Sequence, residues 1–277
     1  MMRFLLGALL SILTTAIPAH STWHDPKLNI PFVNIPKGCF FMGFWYEDDS
    51  EESRYKVCLE PFQMMQYEVT NQQFRHYQAT HNSGTFEELT LNQDQQPVVK
   101  VTFAAAQGFA KWLSDATGEH FHLPTEAQWE YAAKAGTATE AYFGDDLDQA
   151  CAYANVGDIV GEERFTWIIN VACQDGYVVS APVGQFKPNP HGLHDIIGNV
   201  WEWTCSAYEY PYAGKEQLCT TEADERIVFR GGGWATRPSF LGSTVRRYIS
   251  PAPLEGRLAP RLQGTYLGFR LVRERPE

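Results

Sequence analysis

The stretch Gly198-Asn199-Val200-Trp201-Glu202-Trp203 places a glycine, a carboxamide, a carboxylate and two indoles side by side. Asp195 lies shortly before it, so Asp195 and Glu202 bracket a turn that carries Gly198. Hard oxygen side chains around a glycine turn can fold backbone carbonyls inward onto a calcium ion. A second interpretation is a core turn whose acidic side chains accept hydrogen bonds from backbone amides. These residues alone leave both interpretations open.

Three helices are predicted upstream of this turn from the residues that begin and end them. Thr70 opens the first helix with a capping box. Thr102 caps the second helix, which Gly118 ends. Thr125 opens the third with another capping box, and Gly136 ends it. The aromatic residues in these helices are expected to lie in the core.

Strands are predicted before these helices. Residues 31–36 are bounded by prolines and predict an edge strand. Residues 38–43 and 55–65 predict the two strands of a hairpin. Between them, the acidic residues 47–52 predict a solvated loop, since like charges repel in the absence of a glycine turn.

The second half of the chain has few regular signals. From Tyr142 onward periodicity is lost for about a hundred residues, and such a segment needs disulfides, ions or dense turn hydrogen bonding to hold it. Residues 227–230 and 267–272 predict two late strands, the second of them buried. These patterns place the predicted helices and most strands in the first half of the chain, and no linker divides it into separate domains.

The amino-terminal residues 1–21 have the pattern of an export signal. Arg3 provides the charge, residues 4–17 the apolar segment, and residues 19–21 a small-x-small cleavage site. The apolar run is too short to span a membrane, so no transmembrane segment is expected in the mature chain. We therefore predict a periplasmic or secreted protein whose single domain covers residues 22–277.

The charge and the cysteines narrow the classes of partner and chemistry. The formal net charge is −11 and basic runs are short, which argues against nucleic acid as a partner. Six cysteines in an exported chain favour disulfides over free thiols. Fifteen connectivities are possible. The preferred one is sequential, and each of its short loops contributes about 3 kcal/mol of stability: Cys39–Cys58, Cys151–Cys173 and Cys205–Cys219.

Six short motifs in order resemble the formylglycine-generating enzyme family, also called the sulfatase-modifying-factor family. The resemblance runs from about residue 30 to residue 273 and rests on Gly38-Cys39-Phe40-Phe41-Met42-Gly43, Tyr67-Glu68-Val69-Thr70-Asn71, Leu123-Pro124-Thr125-Glu126-Ala127-Gln128-Trp129-Glu130-Tyr131-Ala132, Gly198-Asn199-Val200-Trp201-Glu202-Trp203, Phe229-Arg230-Gly231-Gly232 and Leu267-Gly268-Phe269-Arg270. It implies that family's fold: a single α+β domain, irregular and low in secondary structure, that is related to the C-type-lectin domain.

The resemblance also implies two structural calcium sites, which are the expected cofactors. The first would use the side chains of Asn155 and Asp175 with the carbonyls of Val156 and Tyr177. The second would use the side chains of Asp195 and Glu202 with the carbonyls of Gly198 and Val200. All four side chains are hard oxygen donors, as calcium requires.

The copper chemistry of the family is not expected in this chain. Active members use two cysteines to bind copper, activate dioxygen and oxidise a sulfatase cysteine to formylglycine. Those cysteines correspond to Thr236 and Leu241, the family's serine corresponds to Gly233, and no cysteine follows Cys219. A threonine hydroxyl and a leucine side chain do not replace soft thiolate ligands.

A cleft remains as the candidate binding site. Its residues by resemblance are Trp201, Gly233, Trp234, Thr236, Arg237, Leu241 and Arg246, with Arg247 and Tyr248 beside them. Arginines next to aromatic rings suit an anionic or peptide ligand, and they equally suit salt bridges in an acidic protein. His120 and His122 are interpreted as surface or turn histidines and not as iron ligands.

These observations favour an exported, calcium-stabilised accessory or binding protein without copper. It would take part in the maturation or regulation of another exported protein or peptide. One alternative is an oxidoreductase of the same family that uses a divergent site, in formylglycine generation or peptide or siderophore tailoring. A carbohydrate-binding module is a further alternative, which rests on fold analogy alone. The sequence predicts no oligomeric state.

Overall fold

The fold is known from a computed structural model, which describes residues 22–43, 55–165, 173–221, 225–237, 240–249 and 264–274. The predicted export signal at residues 1–21 and the predicted acidic loop at residues 47–52 lie outside these ranges. Among the helices of the described ranges, none combines the length and the apolarity that crossing a bilayer requires.

Short strands, four α-helices and two short 3-10 helices make up the regular structure of the described residues. The strands are β1 (Thr22–His24), β2 (Pro31–Ile35), β3 (Gly38–Met42), β4 (Tyr55–Leu59), β5 (Phe62–Met65), β6 (Thr85–Phe86), β7 (Leu89–Thr90), β8 (Phe121–His122), β9 (Trp201–Ala207), β10 (Ile227–Arg230), β11 (Arg246–Ile249), β12 (Leu267–Gly268) and β13 (Val272–Glu274). The helices are α1 (Asn71–Arg75), α2 (Phe103–Thr117), α3 (Glu126–Lys134) and α4 (Ile159–Phe165).

Two larger sheets organise the fold. One has the strand order β1-β2-β5-β13-β8 and the other the order β11-β10-β9-β12. Strands β3 and β4 form a separate hairpin, as do β6 and β7. Strand β12 runs parallel to β9, and the other strand pairs are antiparallel. The irregular, low-secondary-structure α+β domain predicted from the sequence is confirmed.

The five-stranded sheet is buried on both faces. Phe32 and Met65 belong to a core cluster shared with α2 and β9, whereas their neighbours Val33 and Met64 belong to a second cluster against α3. Every residue of β5 is therefore buried, with no alternation of polar and apolar side chains. This double burial brings α3 and the long irregular segment against one sheet.

Two sequence predictions about the first strands are wrong. Residues 31–36 do not form an edge strand, because β1 pairs with one side of β2 and β5 with the other. Residues 55–65 are not one strand. Strand β4 ends at Leu59, just before Pro61, which has no N–H to continue a ladder. Strand β5 then joins a different sheet.

The late strand predicted at residues 267–272 is also divided. Strand β12 pairs with β9 in one sheet, while β13 lies between β5 and β8 in the other. Between them the Phe269 and Leu271 carbonyls accept hydrogen bonds from the backbone N–H groups of Val69 and Met65. This short segment therefore links the two sheets and leaves Arg270 between them.

The predicted helix starts are confirmed. Thr70 and Thr125 each cap a helix in a capping box, and Thr102 accepts a hydrogen bond from the N–H of Ala105. Helix α2 ends at Gly118 in a left-handed conformation. Helix α3 ends one residue earlier than predicted, because Ala135 takes the left-handed position before Gly136.

The three disulfides have the predicted sequential connectivity. Cys39–Cys58 joins β3 to β4, Cys151–Cys173 spans 22 residues, and Cys205–Cys219 spans 14 residues. No cysteine is free. Each disulfide closes a short loop, so their cross-linking is local.

Candidate functional site

The turn at Gly198 is fixed by close backbone contacts. Asp195, Gly198 and Asn199 all have positive φ angles, of 55°, 88° and 54°. A β-carbon on Gly198 would stand 2.6 Å from the carbonyl oxygen of Asn155. This distance is too short for a non-bonded contact, so only glycine fits here without a shift of the backbone. The N–H of Gly198 donates to the carbonyl of Gly231. The turn is thereby tied to the segment that begins at Gly231.

Glu202 is neutralised by an arginine. Arg270 donates from Nε to both carboxylate oxygens of Glu202 and from Nη2 to Oε1, at 2.7 to 2.9 Å. The indole N–H of Trp129 donates to Oε2 of Glu202 at 2.8 Å. All three side chains are fully buried. A buried, charge-assisted network of this kind fixes the position of the Glu202 side chain.

Asp195 is buried with only one oxygen in use. Its Oδ2 accepts a hydrogen bond from the N–H of Gly184 at 2.6 Å. Its Oδ1 has no hydrogen-bond partner. Burial raises the pKa of Asp195 to about 6, partly offset by the Gly184 hydrogen bond and the Arg270 charge. The free oxygen is what a cation site at this turn needs.

Glu68 stands beside Asp195 in the same buried environment. Its Oε2 accepts a long hydrogen bond of 3.4 Å from Nδ2 of Asn199, and its Oε1 has no partner. Burial raises the pKa of Glu68 well above its usual value, and the Asp195 charge raises it further. Its placement follows from the cap at Thr70 and from the hydrogen bond between the N–H of Val69 and the carbonyl of Phe269.

At the first predicted calcium site, Asp175 is capped by backbone amides. Its Oδ2 accepts from the N–H of Val156 and its Oδ1 from the N–H of Tyr177, both at 2.8 Å. Asp158 accepts from the N–H of Asp175 in turn. Burial, with a smaller contribution from Asp158, raises the pKa of Asp175 to about 7. The Oδ1 of Asn155 is buried without a partner.

The residues fit calcium unevenly. Asp195 and Asn155 each offer a buried free oxygen, which suits a hard cation. The oxygens of Asp175 already accept amide hydrogen bonds and keep one lone pair each. Glu202 fits least, because Arg270 and Trp129 occupy its carboxylate.

Thr236 and Leu241, which the resemblance matches to the family's two cysteines, both lie close to Gly232. A β-carbon on Gly232 would be 2.8 Å from Cδ2 of Leu241 and 3.5 Å from Cγ2 of Thr236. The hydroxyl of Thr236 accepts the N–H of Gly233 at 2.9 Å. Leu241 is 3% exposed and packs in the second core cluster. Neither side chain supplies a soft donor, and the described structure places no thiol here.

Trp201 and Trp234 flank this segment. Trp201 lies against Gly233, whose β-carbon would be 3.3 Å from its ring, and packs edge-on against Phe229. Trp234 packs against Phe86 and donates its indole N–H to the carbonyl of Thr265. Both indoles are buried, with 7% and 2% of their surface exposed. The two indoles therefore pack beneath the segment, and little of their surface is accessible to a ligand.

The arginines predicted for the cleft are not all together. Arg237 is exposed beside Thr236. Arg246 lies elsewhere: it donates to Glu126 at 2.7 Å and stacks between the rings of Tyr208 and Tyr212. Arg247 and Tyr248 are exposed on the same strand, β11. Arg246 thus has the salt-bridge role that the sequence left open.

His120 and His122 lie beside each other. His122 pairs with Glu274 at 2.8 Å and His120 lies beside it, away from the turn at Gly198. Sequence reasoning missed Arg230, which bridges Glu126 and Glu130 in the core, and the pairing of Arg270 with Glu202. These residues lie inside the six motifs that carry the family resemblance. A charged residue within an apolar run could have indicated a buried ion pair.

The fold and this segment define a class of protein. The family model described as the sulfatase-modifying factor enzyme 1-like domain matches residues 22–275, and the chain belongs to this family. The formylglycine-generating enzyme of Mycobacterium tuberculosis is 34% identical over 64% of this chain and 56% of its own length. The protein named inactive C-alpha-formylglycine-generating enzyme 2 of Bos taurus is 28% identical over 70% of this chain and 56% of its own. The chain therefore spans about half the length of these curated relatives.

Solved structures share the whole fold. PvdO from Pseudomonas aeruginosa is 26% identical, with a TM-score of 0.73 over 94% of this chain and 100% of its own. Treponema denticola variable protein 1 has a TM-score of 0.70 at 22% identity and 94% coverage of this chain, which shows the fold alone.

Proposed function

We propose that this protein is an exported, calcium-stabilised member of its family that binds or assists another exported protein and does not carry out copper oxidation. The observation that carries the proposal is the pair Thr236 and Leu241, which meet at Gly232 where the active family members have two cysteines. The family fold together with these two replacements supports a role without copper chemistry.

The replaced positions cannot bind copper in the family's way. Copper(I) is a soft ion that selects thiolate and thioether ligands. Here a hydroxyl engaged with the Gly233 N–H and a buried hydrocarbon stand in their place. All six cysteines are consumed in disulfides, so no thiolate can be recruited from elsewhere in the chain. An activity that needs a thiolate-bound copper ion is therefore not proposed.

Export is supported by the disulfides and by the leader pattern. Three disulfides form and persist in oxidising compartments such as the periplasm or the extracellular space. The pattern of residues 1–21 agrees with this localisation. A partner for such a protein would be another exported protein or peptide.

The binding face that we propose is the segment around Gly233. Arg237 and Phe240 are the exposed charged and aromatic side chains among its described residues, and Phe240 is 49% exposed. An exposed cation three residues from an exposed ring suits a peptide that carries an acidic or aromatic side chain. The buried indoles of Trp201 and Trp234 give this face a rigid base.

Calcium would act as a structural ion in this proposal. The free buried oxygens of Asp195 and Asn155 support it. Bound calcium supplies positive charge to oxygens that would otherwise be buried without a partner. Its role is to hold the irregular half of the chain, where periodic structure is sparse.

The test uses the purified full chain in its disulfide-bonded form. Elemental analysis is expected to find calcium, without stoichiometric copper or iron. Copper(I) titration against a competing chelator is expected to show no tight site, and a cysteine-containing sulfatase peptide with copper and oxygen is expected to stay unoxidised. Stoichiometric copper or iron together with peptide oxidation would overturn the proposal and favour the oxidoreductase alternative.

A further inference from the structure

The Cys39–Cys58 disulfide lies on the solvent face of the β3–β4 hairpin. Its two cysteines are directly opposite each other in the antiparallel ladder, and both are exposed. Successive side chains of a strand point to opposite faces of its sheet, and burial follows this alternation along β3. Met42 and Val57 lie on the other face of the hairpin and are buried. The hairpin therefore presents its disulfide to solvent.

The other two disulfides are less accessible. Cys205 is 2% exposed, although its partner Cys219 lies at the surface. Cys151 and Cys173 are both half-buried. Thiol–disulfide exchange begins when a thiolate attacks one sulfur, so its rate depends on access to that sulfur. Cys39–Cys58 is therefore the disulfide of this chain that a thiol from outside reaches most easily.

Contacts other than the disulfide hold the hairpin in place. Its ladder joins five residue pairs of β3 and β4. On the buried face, Met42 and Val57 form a core cluster with Ala127 of α3. Nζ of Lys134, on the same helix, donates to the carbonyl of Phe41 at 2.9 Å. We therefore expect the two sulfurs to stay opposite each other on an intact ladder when the disulfide is opened.

Phe41 and Lys56 are the neighbours of the disulfide on the exposed face. They form the next residue pair of the ladder on that face, and 51% of the surface of Phe41 is exposed. A cation near a sulfur favours its thiolate form. Lys56 is two residues from Cys58 on the same strand, so Cys58 is the better leaving sulfur and Cys39 the one attacked. Phe41, two residues from Cys39, offers an apolar contact to the chain that carries the attacking thiol.

We propose that Cys39–Cys58 is a site of thiol–disulfide exchange that oxidises a dithiol of another exported protein. A thiolate of the partner attacks Sγ of Cys39, the bond to Sγ of Cys58 breaks, and Cys58 leaves as a thiolate that takes a proton from solvent. The partner's second thiol loses its proton to solvent and attacks the partner's own sulfur in the mixed disulfide. Cys39 is thereby released as a thiolate and takes a proton in turn.

The exchange transfers two electrons from the partner to the hairpin. The partner's dithiol becomes a disulfide, and Cys39 and Cys58 become thiols. This activity goes beyond the proposed function, because it uses neither calcium nor the segment around Gly233.

The first measurement shows which disulfide opens in the purified full chain. The protein is mixed with a limiting amount of dithiothreitol and alkylated at intervals, and the alkylated cysteines are mapped by mass spectrometry. We expect Cys39 and Cys58 to be alkylated about tenfold or more faster than Cys205 and Cys219, with an unchanged near-UV circular dichroism spectrum. Equal rates at the two disulfides would overturn the proposal. Loss of the spectrum as Cys39–Cys58 opens would overturn it too, because the thiols would no longer be held on an intact ladder.

The second measurement tests the protein partner. The probe is a reduced peptide with two cysteines flanked by leucines, and its oxidation is compared with that of dithiothreitol. Phe41→Ser is expected to slow the reaction with the peptide about fivefold and to leave the reaction with dithiothreitol unchanged, because only the peptide uses the apolar contact. Lys56→Gln is expected to slow both reactions, since it removes the cation beside the leaving sulfur.

Phe240→Ser is the matched control. Phe240 is 49% exposed, nearly as much as Phe41, and belongs to the face proposed above to bind a peptide. It is expected to leave both rates unchanged, so a failure of that face and a failure of the exchange site are distinguishable. A wild type that oxidises dithiothreitol but not the peptide, or a Phe41→Ser variant that matches the wild type with both, would overturn the protein partner.

Discussion

Thr236 and Leu241 converge on Gly232, with Cγ2 and Cδ2 3.5 Å and 2.8 Å from where its β-carbon would stand. The two side chains that the resemblance matches to the family's cysteines thus lie near the same glycine. Gly232 has a φ of 82° and lies in close contact with both side chains.

The first prediction restores the ligands. In the double variant Thr236→Cys and Leu241→Cys, two thiols lie side by side, so we expect tight binding of one copper(I) ion, where the wild type binds none. Competition with a copper(I) chelator measures it. Each single cysteine variant is the control and is expected to bind far more weakly. A double variant that binds no better than either single variant would show that positions 236 and 241 do not converge.

The second prediction concerns the buried pair of Glu202 and Arg270. Glu202→Gln leaves the guanidinium without its counter-charge in a fully buried place. Breaking such a pair costs about 3 to 5 kcal/mol of the free energy of unfolding. Urea unfolding measures this loss, and an unchanged free energy of unfolding would contradict the pairing.

Its control is an exposed ion pair. Lys111 and Asp115 pair on the surface of α2, with 76% and 65% of their side-chain surface exposed. Asp115→Asn is expected to change the free energy of unfolding by less than about 0.5 kcal/mol. Equal effects at the two sites would contradict the burial argument.

The third prediction separates close contact from backbone strain at glycine. Gly198→Ala places a methyl group against the Asn155 carbonyl in addition to its positive φ, and we expect a loss of more than about 3 kcal/mol. Gly118→Ala, at the end of α2, has a φ of 77° and open space around its β-carbon, so only the conformational cost of about 1 kcal/mol is expected. Thermal unfolding of both variants checks the difference, which would vanish if the turn could relax.

The fourth prediction ranks two disulfides. Cys205–Cys219 and Cys39–Cys58 close loops of similar length, with separations of 14 and 19 residues, so each contributes about 3 kcal/mol through the unfolded chain. Cys205 is also buried in the main core, whereas Cys39 and Cys58 are exposed. The double alanine variant at 205 and 219 is therefore expected to lose more stability in urea. The reverse order would show that the β3–β4 hairpin depends on its disulfide for structure as well as for chain entropy.

Local features of the fold were predictable from the sequence, and long-range pairings were not. The caps at Thr70, Thr102 and Thr125 depend on neighbouring residues and were found from them. The sequential disulfides follow from short spacing. The position of β2 inside a sheet was missed, because both of its neighbours, β1 and β5, are set by tertiary pairing and leave no periodic signal of their own.

The candidate site shows the same division. Asp195 and Glu202 were recognised because they bracket a glycine turn within a short stretch. The residues around them come from far along the chain: Arg270 pairs with Glu202, and Glu68 accepts a hydrogen bond from Asn199 in the same turn. A carboxylate inside an apolar motif indicates that its negative charge must be balanced by a positive one. A metal ion and a guanidinium leave the same pattern in the sequence. Only the packing of β9 and β12 decides this for Glu202.

The segment at residues 267–274 has a consequence for how the protein is made. It supplies β12 to one sheet, β13 to the middle of the other, and Arg270 to the carboxylates between them. A chain that leaves the ribosome or crosses a membrane from its amino terminus cannot close either sheet until this segment emerges. The β3–β4 hairpin can form early and acquire its disulfide, whereas the rest stays open to chaperones and proteases during synthesis. Any truncation before residue 267 would remove the closing element of both sheets at once.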